Sequence, residues 1–223
     1  SQQFSYACLA AGDQRISTDL VAAFYPFSAF AEQLRTLRSE LMQRWVRSGH
    51  KSLAVVSHDE GNGNALLSAN LAVVFSQVGA RTLLVDGDLR SGTVHQFFKL
   101  DNRLGLSDLL AERTDLGCIN RIAALPGLSI LSRGTEAPNP QELLSRMNFK
   151  LLLDELEQRF DVVLFNSPAL SVCADAQIIA ALARGSILIA YQDKSSIKGL
   201  AVAQELLKNA GTTLLGCVMS KLG

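Results

Sequence analysis

Leu53-Ala54-Val55-Val56-Ser57-His58-Asp59-Glu60-Gly61-Asn62-Gly63-Asn64-Ala65 reads as a strand, a glycine-bearing loop and the start of a helix, in direct succession. Residues 53–57 form a short apolar, partly β-branched run, which predicts a buried strand. The apolar stretch 65–78 then predicts a helix. This is the setting in which backbone N–H groups cradle a phosphate. Gly61 and Gly63 also suit a plain tight turn, and the residues alone leave both readings open. A working phosphate loop places Lys at 64, to reach the outer phosphates, and Ser or Thr at 65, to hold Mg²⁺. Asn64 and Ala65 stand there instead. Asn64 is neutral and shorter, so a charge-assisted hydrogen bond of about 1.5–3 kcal/mol lacks its donor. Ala65 has no metal-binding group.

Outward from this stretch the chain alternates. Further apolar runs at 82–86, 128–131, 162–165, 187–191 and 214–219 show no polar alternation and predict strands buried on both faces. Helices are expected over 141–160, with a break near Met147-Asn148, over 174–183 and over 196–209. Before the first strand, Ser28 offers an N-cap for a helix to about Arg47, stopped by Gly49. Its apolar stripe is Phe30, Leu34, Leu37, Leu41 and Trp45, with Glu32, Arg35, Arg38 and Arg44 largely outside it. Residues 1–26 read as an arm or linker, conceivably the tail of an upstream domain, and 27–223 as one domain. The alternation implies an α/β fold: a P-loop NTPase-like three-layer sandwich with a mostly parallel sheet and helices on both faces. The segment 88–127 is the least regular and is expected to cross over the sheet.

In such sheets ligands sit beyond the carboxyl ends of the strands. The second strand ends there with Asp86-Gly87-Asp88-Leu89-Arg90. Asp86 and Asp88 suit metal coordination or activation of an acceptor hydroxyl, with Arg90 beside them. A polar turn in which the carboxylates cap the next segment is the alternative. The strand over 162–165 runs into Asn166-Ser167-Pro168, where a nucleotide-hydrolysing protein carries Asp at 166 to organise Mg²⁺. Asn166 keeps the shape and loses the charge. Upstream in the loop, Asp59 and Glu60 would repel phosphates.

With 223 residues, 48% of them hydrophobic, the chain is long enough for a substantial core. Its formal net charge of +0 gives no global field to attract nucleic acid. No apolar run is long enough to cross a bilayer, so direct membrane insertion is not expected. The start, Ser1-Gln2-Gln3-Phe4, does not read as a signal peptide and looks like a fragment boundary. Cys8, Cys118, Cys173 and Cys217 are irregularly spaced, and His50, His58 and His95 are scattered. That pattern suits free thiols in a reducing compartment better than a disulfide framework or a metal site, and implies a cytoplasmic protein.

Taken together, these motifs resemble the bacterial tyrosine kinases of exopolysaccharide and capsule assembly, in the MinD/ParA branch of P-loop proteins. The likeness is greatest to the EpsG-like kinases associated with chain-length determinant proteins. It covers about residues 19–223. Glu32-Gln33-Leu34-Arg35-Thr36-Leu37-Arg38 fits the family's E-x-x-R-x-x-R helix, which joins subunits into rings. Leu83–Arg90 fits the acidic motif whose aspartates, here Asp86 and Asp88, serve metal binding and activation of the acceptor tyrosine. Gly61, Gly63, Asn70, Leu71 and Ala72 fit the nucleotide-binding loop, which spans Gly61, Asn62, Gly63, Asn64 and Ala65, and the helix after it. Pro138-Asn139-Pro140-Gln141-Glu142-Leu143-Leu144 resembles P-P-N-P-x-E-L-L, and Asp161–Pro168 fits the third motif apart from Asn166. Charges spaced like Glu32, Arg35 and Arg38 are also common on a solvated helix face.

The departures decide the expected function. Members of the family carry Lys or Arg at 64, Ser at 65 and Asp at 166. Their tyrosine-rich tail is not evident here, where the tyrosines are Tyr6, Tyr25 and Tyr191. The resemblance therefore implies a kinase-like protein with impaired or absent phosphoryl transfer. It would bind ATP or ADP with Mg²⁺ weakly or not at all, its metal site reduced to Asp86, Asp88 and Asn166. It would self-associate and act with an inner-membrane polysaccharide co-polymerase at the cytoplasmic face. An active, unorthodox tyrosine autokinase is the alternative, and a MinD/ParA-type positioning ATPase a second, weakened by the loss of the same Lys.

Overall fold

A computed structural model describes residues 8–221. A seven-stranded sheet forms its middle layer. In chain order the elements are α1 (Val21–Phe24), α2 (Ala29–Arg44), β1 (Ser52–Ser57), α3 (Gly63–Ser76), β2 (Thr82–Asp86), α4 (Val94–Phe97), α5 (Leu106–Leu110), β3 (Asn120–Arg121) and β4 (Leu128–Leu131). Then follow α6 (Pro140–Leu144), α7 (Met147–Arg159), β5 (Val162–Asn166), α8 (Asp175–Ala183), β6 (Gly185–Tyr191), α9 (Ile197–Asn209) and β7 (Thr213–Ser220). The spatial order is β3-β4-β2-β5-β1-β6-β7. Every pairing is parallel except the short β3–β4 ladder. This is the expected α/β sandwich.

Successive side chains of a strand point to opposite faces, and here both faces are covered. Leu53 and Val55 of β1 join the apolar cluster under α1–α3, whereas Ala54 and Val56 join the one under α7–α9. β2, β5 and β6 divide their residues in the same way. That is why these strands read as unbroken apolar runs. The edge strand β7 departs from the expectation of burial on both faces, since Cys217 and Met219 are exposed and only Ser220 is buried. It is largely apolar in sequence, yet among the described residues no strand pairs with its outer edge.

α2 is capped as read: Ser28 Oγ accepts from Ala31 N at 3.2 Å. α2 ends at Arg44, one turn of 3₁₀ helix follows, and Gly49 closes it at φ 96°. Only glycine takes that conformation without strain. Trp45 donates from Nε1 to Ser52 O at 2.8 Å and stacks on His50, tying the end of α2 to the start of β1. The break expected near Met147-Asn148 falls two residues earlier, between α6 and α7.

The arm, read as irregular over 1–26, is built into the core from Ile16 on. Ile16, Leu20, Ala22, Ala23 and Phe24 are buried. Asn70 of α3 holds it with both ends of its amide, accepting from Ala22 N at 3.0 Å and donating to Asp19 O at 3.2 Å. Gln77 adds a bond to Ala22 O at 3.0 Å. Tyr6 lies outside the described residues.

Candidate functional site

Strand order places the candidate residues. β2, β5 and β1 are neighbours, with Asp86 beside Asn166 and Asn166 beside Val55 in register. Their carboxyl ends, with the start of α3, line a cleft of about 240 Å³. Glu60, Gly61, Asn62, Asn64 and Ala65 form one wall, Asp88 and Arg90 to Thr93 another, and Asn166 to Ala169 the floor. Gly63 opens α3 with no side-chain cap on the helix. The first N–H groups of a helix have no acceptor of their own, so this end remains an anion-attracting one.

The position of the missing Lys is filled by a neutral network. Asn64 is buried, and its Nδ2 lies among three acceptors: Ser167 O at 2.8 Å, Val55 O at 3.0 Å and Asn166 Oδ1 at 3.2 Å. Those acceptors fix which end of the amide faces inward. Asn64 Oδ1 has no partner among the described residues. Asn166 in turn donates from Nδ2 to Asp86 Oδ1 at 3.0 Å. Asn64 at the start of α3, Asn166 at the end of β5 and Asp86 at the end of β2 thus form one hydrogen-bonded chain, and Asp86 is its only ionisable member.

Asp86 is fully buried, and burial pushes its carboxyl up to about 6, against hydrogen bonds from Asn166 and Val94 N. Among the described residues no Lys, Arg or His side chain forms an ion pair with it. Gly92 permits the arrangement, because a Cβ there would meet Asp86 Oδ2 at 2.3 Å. Asp88 is turned towards its own loop. Its Oδ1 accepts from Ser91 N at 3.0 Å and Arg90 N at 3.1 Å, and its Oδ2 from Ser91 Oγ at 3.1 Å. The capping-turn alternative therefore describes its present contacts. Arg90 pairs through Nε with the buried Asp175 at 2.9 Å, at the start of α8. Hydrogen bonding to that carboxylate raises the already high guanidinium value.

Asp59 is engaged away from the cleft. Its carboxylate accepts from Ser195 Oγ at 2.6 Å and lies 3.1 Å from His58 Nδ1. Burial opposes its ionisation, and these bonds outweigh burial and lower its value. Lys194 Nζ reaches Glu60 O at 2.5 Å. Only Glu60 of the two loop acids lines the cleft. On α2 Arg35 and Arg38 depart from their expected place outside the apolar stripe, whereas Arg44 is exposed. Arg35 is 6% exposed and bonds Pro26 O and Glu32, and Arg38 is 7% exposed and donates to Val74 O at 2.7 Å. Glu32 remains exposed.

Tyr191 is buried as expected. Asp175, Ser91, Thr93, Ser167, Lys194 and Ser195 are site neighbours that the motifs did not single out. Only Asp175, an acid in the first turn of a helix just beyond a strand end, carried a local signal.

The residues fit a bound Mg²⁺–nucleotide poorly. Asn166 Oδ1 is occupied by Asn64, position 65 has no hydroxyl, and Asp88 is bonded to its own loop. Among the described residues no cluster of three or more His, Cys, Asp or Glu side chains is arranged to hold a metal.

A parallel sheet with a glycine loop and a helix N-terminus at its carboxyl end defines a P-loop nucleotide-binding fold. No protein-family model matches the chain. Similarity to known proteins is nonetheless extensive. The chain is 36% identical over 206 residues to the tyrosine-protein kinase YwqD of Bacillus subtilis, covering 92% of this chain and 87% of YwqD. It is 27% identical over 195 residues to the tyrosine-protein kinase Etk of Escherichia coli, covering 87% of this chain but 27% of Etk. Among solved structures, the chimerical protein CapA2B2 superposes with a TM-score of 0.86 at 30% identity, over 91% of this chain and 89% of that one. The septum site-determining protein MinD of Pyrococcus horikoshii, complexed with Mg-ADP, gives 0.67 at 23% identity over 78% and 71%, a likeness of fold alone. The chain belongs to the bacterial tyrosine-protein kinase family.

Proposed function

We propose that this chain is a kinase-like member of its family in which phosphoryl transfer is impaired or absent, and which works by assembly. The observation that carries the reading is the Asn64–Asn166–Asp86 chain. A lysine at 64 would bring a cation to the outer phosphates, and an aspartate at 166 would bring charge to a metal. Here Asn64 donates to Asn166 and Asn166 donates to Asp86 instead. Removing a single electrostatic contact to a developing charge costs about 10²–10³ in rate. Such losses do not simply add, but these act in the same direction.

The assembly it serves is an inner-membrane polysaccharide co-polymerase, met at the cytoplasmic face. Family membership and the motif at Glu32-x-x-Arg35-x-x-Arg38 support this. In self-association Glu32 is the exposed member of that motif, and Arg35 and Arg38 set the helix from beneath. The residues proposed for the nucleotide cleft are Gly61 to Ala65, with Asp86, Asp88 and Arg90.

Calorimetric titration with ATP and ADP, with and without Mg²⁺, tests the reading directly. The expected result is weak or undetectable binding and no autophosphorylation. Tight Mg-ATP binding with autophosphorylation would overturn it. The triple variant Asn64→Lys, Ala65→Ser, Asn166→Asp should gain both properties. An active, unorthodox autokinase is the second reading. The acids of the family motif and the open helix N-terminus favour it, and it predicts little change in the triple variant.

A further inference from the structure

At the opposite, amino-terminal end of the sheet lies a second cleft, of about 610 Å³. It opens between the β3–β4 ladder and the end of α7. Leu116, Ile119, Ile122 and Phe160 contribute apolar lining, and Arg81, Arg121 and Arg159 are its charged side chains. No acidic residue lines it. The charged groups in its lining are thus all cationic, with the acidic partners of Arg81 and Arg159, Asp161 and Glu155, set outside it.

The arginines are available in different degrees. Asp161 grips Arg81 from outside the cleft, at 3.2 Å to Nε and 2.8 Å to Nη2, so the fork is held in a fixed orientation with further N–H donors unspent. Arg159 pairs with Glu155 at 2.6 Å along α7 and stays more than half exposed. The side chain of Arg121 has no ion pair or hydrogen bond among the described residues. A planar guanidinium suits a carboxylate in two-point geometry.

We propose that this cleft docks a short acidic segment of a partner protein, seating an apolar side chain on Ile119, Ile122 and Phe160 while its carboxylates meet Arg81, Arg121 and Arg159. Charge complementarity selects the acidic partner. The relief selects a peptide over a bilayer, because the apolar atoms are recessed and the arginines protrude. A membrane surface calls for the reverse, with apolar side chains projecting. None of the large exposed apolar side chains of the protein lines this cleft. The inference is independent of whether the nucleotide cleft is active.

The test is fluorescence anisotropy with a labelled short peptide of alternating glutamate and leucine, with a lysine–leucine peptide and phosphatidylserine vesicles as the other arms. Saturable binding of the acidic peptide is expected, weakened by salt and about tenfold weaker in Arg121→Glu/Arg159→Glu. Both arginines are exposed, so the variant should keep the wild-type melting temperature. Amide shifts on peptide addition should centre on residues 116–129 and 159–160. No saturable binding, equal binding of the basic peptide, or binding unaffected by the double variant would each overturn the proposal. So would vesicle binding that the double variant abolishes while the peptide does not bind.

Discussion

Asp86 is a carboxylate whose value burial raises, and this has a pH signature. Its folded-state value of about 6 lies above the ordinary 3.8, so between those values the folded protein holds the proton more tightly than the unfolded chain. Its contribution to stability is therefore greatest below about pH 4, falls as pH rises, and levels off above 6. The total change is on the order of 3 kcal/mol. Urea denaturation at intervals from pH 4 to 7 should show that decline, superimposed on other titrations, and Asp86→Asn should lose most of it. A second prediction concerns the neutral pair. Asn166→Asp alone sets a carboxylate against Asp86, where Asn166 now donates at 3.0 Å, and should destabilise by roughly 2–4 kcal/mol. Adding Asn64→Lys should recover about 1–3 kcal/mol in a double-mutant cycle. Strict additivity would show that the two positions are not coupled. The loss of charge at each position is legible in sequence; that the two losses fit together is not.

Among the elements, the junction of α2, β1 and β6 carries the sharpest steric demand. A Cβ at Gly185 would lie 2.5 Å from the ring of Trp45, which is itself held by its bond to Ser52 O. Gly185→Ala should cost about 1–3 kcal/mol by thermal or urea unfolding, through overpacking against a ring that cannot retreat. The cost should shrink in a Trp45→Leu background, where the obstacle is gone. Gly185 lies two residues before the apolar run at 187–191, and the run itself does not single it out. The helix motif at 32–38 shows the opposite limit. Its charges suggest a solvated face, yet Arg35 and Arg38 are drawn inward by carbonyls of Pro26 and Val74, the latter thirty-six residues away. A long guanidinium stem can lie in apolar surroundings when its head finds acceptors, and periodicity counts the charge without seeing the acceptors.

For the molecule as a whole, the arm is part of the core. Ile16, Leu20 and Phe24 are buried, and burying a large apolar side chain stabilises by about 1.5–3 kcal/mol. Deleting residues 1–24 should therefore lower the unfolding free energy by on the order of 5 kcal/mol. It would also leave Asn70 without the Ala22 and Asp19 groups it now bonds. A deletion that left the urea midpoint unchanged would show that the arm is only an appendage.

Sequence alone determined the class of fold. Mostly apolar runs of four to six residues alternating with helical stretches leave a parallel sheet covered on both faces as the economical packing. It also determined which ionic groups are gone, since position 64, 65 or 166 either bears a charge or hydroxyl or does not. Tertiary structure decided the rest. Asn166 is 102 positions from Asn64 and 80 from Asp86 in the chain, and only the order β2-β5-β1 makes the three one network. The same applies to Arg90 with Asp175, to the exposed edge of β7, and to the arginine-rimmed cleft at the far end of the sheet. Periodicity reports whether a residue's own segment has an apolar face. Which segment comes to lie beside it depends on how all the strands share one sheet.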